Sequence, residues 1–87
     1  MFVILVYDVN QKRVGKVLKT ARKYLNWVQN SVLEGEISEA NLKKLKKELG
    51  MIMNVEEDSA IIYQLRTTKY SQREIIGIEK GGVDVII

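Results

Sequence analysis

Phe2-Val3-Ile4-Leu5-Val6-Tyr7-Asp8-Val9-Asn10 opens the chain with a run of β-branched, aliphatic and aromatic residues that stops abruptly at an acid and an amide. So short an apolar run, ended by turn-forming residues, predicts a β-strand, and the absence of polar alternation predicts one with both faces covered. Beyond it the period changes. Val14, Val17, Leu18, Ala21 and Leu25 recur at helical spacing, with Asn10 as N-cap, so a helix to about Leu25 is expected.

Trp27 to Leu33 then predicts a second strand, with Trp27, Gln29, Ser31 and Leu33 on one face and Gly35 breaking the run. Ser38 caps a second helix to about Met53, whose apolar stripe is Leu42, Leu45, Leu49 and Ile52. Asp58 to Leu65 reads as a third strand, Arg73 to Ile78 as a fourth, and Val83 to Ile87 as a short apolar tail after Gly81-Gly82. Read in order the elements give β-α-β, then α-β-β. The expected fold is α+β, a single ferredoxin-like domain over residues 1–87. It is a β-α-β-β-α-β sandwich in which a four-stranded antiparallel sheet carries two helices on one face, with a short C-terminal strand added.

That arrangement leaves the other sheet face bare, yet Phe2, Ile4 and Val6 are as apolar as Val3, Leu5 and Tyr7. An exposed apolar patch of that kind predicts a homodimer through the sheet face, or the tail Val83 to Ile87 folded back over it. A chain of 87 residues with no cysteine and no histidine also lacks the usual staples of a small domain, which favours a second copy. The same absences exclude Cys–His and Ser–His–Asp chemistry and leave carboxylates, hydroxyls, cations and a metal-bound water. Apolar residues at 46% and charged residues at 29% indicate a folded domain. No signal peptide or membrane span is legible, so a cytoplasmic protein is expected.

Asp8 is the first candidate for chemistry, because a strand end beside a loop holds a side chain rigidly next to solvent. Two copies in a dimer could converge to hold Mg²⁺ or Mn²⁺; capping the next helix or ending the strand would explain the same aspartate. The second candidate is the block from Val9 to Leu33, which contains Lys12, Arg13, Lys16, Lys19, Arg22 and Lys23 and no acid. On a helix Lys12, Lys16, Lys19 and Lys23 fall opposite the apolar stripe with Arg13 and Arg22 flanking them. This cationic ridge suits a phosphate backbone, or else is a solvated face. Ser31 and Gln29 are polar residues on an apolar strand that could touch a ligand or bond across strands. Arg66 to Ser71 is a polar link that serves as a turn or as a phosphate contact.

Val3-Ile4-Leu5-Val6-Tyr7-Asp8-Val9, Arg13-Val14 entering a helix, and Val28-Gln29-Asn30-Ser31-Val32-Leu33-Glu34-Gly35 together resemble the Cas two family of small CRISPR-associated endonucleases. The resemblance implies a homodimer in which C-terminal strands, here Val83 to Ile87, extend the partner's sheet. It implies that Asp8 binds a divalent metal, Mg²⁺ or Mn²⁺, at the dimer interface and is required for cleavage of single-stranded RNA or double-stranded DNA. Arg13 matches a basic helper position at the start of the first helix. Gln11 stands where some members have arginine, Trp27 replaces a residue basic in some members, and Leu33 replaces a commonly aromatic one. The family also serves as a non-catalytic adaptor that bridges dimers of the CRISPR integrase and holds spacer-precursor DNA. Asp8 separates these two functions, since only the enzyme needs it. A regulatory small-molecule module or a base-stacking RNA-binding sheet is a third reading, with Tyr7, Trp27 and Tyr63 as its aromatics.

Overall fold

In a computed structural model of the chain, which describes residues 1–65, six elements follow one another: β1 (Phe2–Asp8), α1 (Gln11–Ala21), β2 (Asn26–Gln29), β3 (Val32–Glu36), α2 (Glu39–Ile52) and β4 (Ser59–Leu65). The strands form one sheet in the order β2-β3-β1-β4, and every pair is antiparallel. The ferredoxin-like α+β arrangement expected from the sequence is therefore present. Arg73 to Ile78, Val83 to Ile87 and the polar link at 66–71 lie outside the described residues.

Both helices start where their caps predict. The Asn10 side chain accepts from the Lys12 amide at 3.0 Å, and Ser38 Oγ accepts from the Asn41 amide at 3.1 Å, each satisfying a donor the first turn leaves free. α1 ends at Ala21, four residues before Leu25. The Leu25 amide still bonds the Ala21 carbonyl at 2.9 Å, so the turn delivers Leu25 to the core and the chain into β2.

The segment Trp27 to Leu33 is not one strand. It is a hairpin that turns at Asn30-Ser31, and Asn30 takes φ 40°, the left-handed region that asparagine enters more readily than most residues. Trp27 and Leu33 thus face each other across two strands instead of lying along one. Gly35 falls inside β3, opposite Val3, rather than ending the run. The strand Asp58 to Leu65 is consequently the fourth of the sheet and pairs with β1 over its whole length.

Val3, Leu5, Leu33, Val17 and Leu45 have no accessible surface and form the layer between sheet and helices. Full burial of each such side chain stabilises by about 1.5–3 kcal/mol. Register puts Phe2, Ile4 and Val6 on the opposite face, beside Leu65, Tyr63 and Ile61 of β4. Ile61 and Tyr63 are 50% and 53% exposed, so this face is apolar as the double-sided pattern of β1 implied. Lys23, just past α1, and the Tyr24 hydroxyl both donate to Glu48 of α2, tying the two helices together. Those bonds hold the Glu48 carboxyl below its usual value, and the shared carboxylate raises the Tyr24 phenol.

Candidate functional site

At the C-terminal end of β1 the alternation of the strand buries Tyr7 and turns Asp8 out into solvent. Asp8 lies opposite Ser59, the first residue of β4, and the preceding Tyr7 amide donates to the Ser31 carbonyl at 3.1 Å. The β2–β3 turn, the start of β4 and the loop into α1 therefore adjoin the end of β1 that carries Asp8. The Asp8 side chain has no hydrogen bond or ion pair among the described residues; it does not cap α1, a role that Asn10 fills. The Tyr7 hydroxyl is buried near Ser31, and burial raises its phenol above the ordinary value against a smaller opposing effect of the Ser31 side chain.

Behind this end of the sheet sits a second carboxylate that the sequence reading treated only as the start of a strand. The Asp58 side chain is wholly inaccessible and accepts four hydrogen bonds. Its Oδ1 takes the Asn10 amide at 2.8 Å and Arg13 Nη2 at 3.1 Å; its Oδ2 takes Arg13 Nε at 2.6 Å and the Asn54 amide at 2.8 Å. Arg13 Nη2 also donates to Glu57. A carboxylate so supplied with donors is held well below the usual range, chiefly by Arg13, and Arg13 is raised in turn by Asp58 first and Glu57 second. The sequence signal for this cluster was the acidic run Glu56-Glu57-Asp58, the natural counterpart of a block with no acid of its own.

Arg13 is thus drawn into the fold, with its side chain only 18% exposed, whereas Lys12, Lys16 and Lys19 are exposed on the solvent face of α1 and carry no ion pair among the described residues. At ~1.5 Å rise per residue these three lysines cover about 10 Å of helix axis. Lys23 at the far end is engaged by Glu48, and the Arg22 guanidinium lies over the Trp27 ring at 5.6 Å. A shallow groove of about 610 Å³ runs past Gly15, Leu18, Lys19, Arg22 and Lys23. Ser31 occupies the hairpin turn, half-buried, instead of a strand face, and Gln29 is exposed at the end of β2. The exposed lysines 43, 44, 46 and 47 of α2 were not singled out by sequence reasoning, because they interrupt an apolar stripe without forming an acid-free block.

Asp8 offers hard, acceptor-only oxygens, the donor type that suits Mg²⁺ or Mn²⁺. No group of three or more histidines, cysteines, aspartates or glutamates gathers among the described residues. A single carboxylate of this kind supplies part of the shell of a hard cation and leaves the rest to other oxygen donors. No helix among the described residues is long and apolar enough to cross a membrane.

Comparison with known proteins agrees with this fold. The family model for CRISPR associated protein Cas2 matches residues 1–73. The CRISPR-associated endoribonuclease Cas2 of Dictyoglomus turgidum is 63% identical over 87 residues, 100% of each chain. That of Thermotoga maritima is 54% identical over 81 residues, 93% of each chain. Among solved structures, a crystal structure of cas2 aligns with a TM-score of 0.84 at 45% identity, covering 100% of this chain and 98% of that one. Streptococcus pyogenes Cas2 at pH 6.5 aligns with a TM-score of 0.79 at 32% identity, over 88% of this chain and 100% of that one.

Proposed function

The chain belongs to the family of CRISPR-associated Cas2 proteins, and from that premise we propose that it is an endoribonuclease, acting as a homodimer in which Asp8 of each copy holds a divalent metal. The observation that carries this reading is the isolation of Asp8: an exposed carboxylate without partners among the described residues, at a strand end that the β2–β3 turn and the start of β4 adjoin. Mg²⁺ or Mn²⁺ bound there would activate water and neutralise charge on a phosphodiester.

The residues of the chain do the remainder. Lys12, Lys16 and Lys19 draw the phosphate backbone along α1 by releasing its counterions. Lys12 lies one residue inside the helix whose cap follows Asp8 by two residues, so the ridge leads from the carboxylate outward. Ser31, in the adjoining turn, is within the same end of the sheet and supplies a hydroxyl for a sugar or phosphate oxygen. Arg13 serves this surface from behind, by holding the start of α1. Pairing of two copies through Phe2, Ile4, Val6, Ile61 and Tyr63 would cover the apolar sheet face.

The test compares the protein with its Asp8→Asn variant on labelled single-stranded RNA and double-stranded DNA, with Mg²⁺, with Mn²⁺ and with chelator. Metal-dependent cleavage that disappears in the variant is expected; equal background in both proteins would refute the enzymatic reading. One observation favours a second reading, that of a non-catalytic adaptor holding DNA for a CRISPR integrase: the free cationic face of α1 binds backbone without any need of Asp8. Intact DNA binding with no cleavage by either protein would select it.

A further inference from the structure

Asp58 is a buried carboxylate that makes four hydrogen bonds and touches no part of the exposed surface around Asp8. Its position is nevertheless singular. It immediately precedes Ser59, the residue opposite Asp8 in the β1–β4 register, and its Oδ1 accepts the amide of Asn10, two residues beyond Asp8. One side chain therefore ties the loop leaving β1 to the residue that immediately precedes the start of β4. Its second oxygen grips the Asn54 amide, and the Asn54 carbonyl accepts the Asp58 amide at 2.8 Å, which closes the α2–β4 loop on itself. Arg13 supplies the charge that keeps this carboxylate ionised where water does not reach it.

We infer that Asp58 is a positioning residue for Asp8, setting the backbone from which the metal-holding carboxylate projects. The inference rests on the reading of Asp8 as a metal ligand. Only the Asp8–Val9 and Val9–Asn10 peptide units separate the Asp8 carboxylate from the amide that Asp58 fixes, so freeing that amide lets the strand end fray and the Asp8 side chain sample geometries that do not bind. Partners of this outer kind change metal affinity without contacting the ion.

The experiment titrates Mn²⁺ into wild type, Asp8→Asn, Asp58→Asn and Asn10→Pro, following free Mn²⁺ by electron paramagnetic resonance, and separately measures single-stranded RNA affinity in chelator. Proline suits the observed φ of −57° at residue 10 and deletes the donor to Asp58 while leaving the Arg13 pair, at the expense of the cap to Lys12. Asp58→Asn and Asn10→Pro, folded by circular dichroism, are expected to weaken Mn²⁺ binding roughly tenfold or more while RNA affinity in chelator does not fall with it. Unchanged Mn²⁺ affinity in either folded variant, with Asp8→Asn having lost it, overturns the positioning role and leaves Asp8 as ligand. Full Mn²⁺ binding by Asp8→Asn instead overturns the reading of Asp8, and the positioning role with it. Should Asp58→Asn fail to fold, Asn10→Pro decides alone.

Discussion

Neutralising Lys16 and neutralising Arg13 should have different effects on RNA binding, although both residues are basic and lie one turn apart on α1. Lys12, Lys16 and Lys19 are exposed and carry no ion pair among the described residues, whereas Arg13 is already compensated by Asp58 and Glu57. Each phosphate neutralised on a single strand contributes about −0.7 to the slope of log affinity against log salt, so three lysines give roughly −2 per chain. Between ~50 and ~200 mM salt that slope lowers affinity about 18-fold; with Lys16→Gln it falls to about −1.4 and the loss to about sevenfold. Arg13→Gln should leave the slope at the wild-type value, because it removes a charge that no phosphate was meeting. A dimer that presents both ridges to one strand doubles the slopes and preserves the contrast. Fluorescence anisotropy of a labelled single-stranded RNA in chelator, at five or six salt concentrations, measures all three proteins. If Arg13→Gln flattens the slope as much as Lys16→Gln does, Arg13 leaves Asp58 to meet phosphate and the assignment of the ridge is wrong.

Acid stability provides a second test. The folded carboxyl of Asp58 is depressed below its unfolded value of about 3.9, so its contribution is complete above that value and disappears as pH falls toward the folded one. The urea midpoint of the wild type should accordingly hold steady above about pH 5 and drop below roughly pH 4, with a shallower drop in Asp58→Asn; identical acid profiles would argue against a buried, ionised Asp58. The hairpin turn gives a third. Asn30 at φ 40° should tolerate glycine within about 0.5 kcal/mol, whereas Asn30→Val should destabilise by about 1–2 kcal/mol in thermal unfolding.

The parts of the fold that the sequence exposes are those whose signal is local. β1 and β4 are apolar runs bounded by polar residues, and both helices show a cap followed by a periodic stripe, so the caps and these two strands fall where expected. The β2–β3 hairpin escaped because Asn26 to Glu36 contains no Gly or Pro at its turn; Asn30 alone marks it, inside a run that alternates as one strand would. Asp8 was legible as a position, since a strand end beside a loop is a local fact. Asp58 was not, because its meaning comes from Asn10 and Arg13, 48 and 45 residues earlier in the chain. For the same reason Arg13 resembled its lysine neighbours: the count of charges in a block does not say which of them have found a counter-ion across the fold.

The fastening of α1 at both ends has a consequence for the kind of polymer it can select. Arg13 binds its first turn to the α2–β4 loop, and Lys23 with Tyr24 binds the far end to Glu48. Between them the lysines project from a helix held at both ends, so a nucleic acid that met all three would have to bring its phosphates to them. A single strand, whose backbone rotates freely, can bring successive phosphates into line with fixed charges at small elastic cost, whereas a duplex must offer them from a surface already curved by its own helix. Held charges of this kind would favour compliance in the ligand, without any base being read.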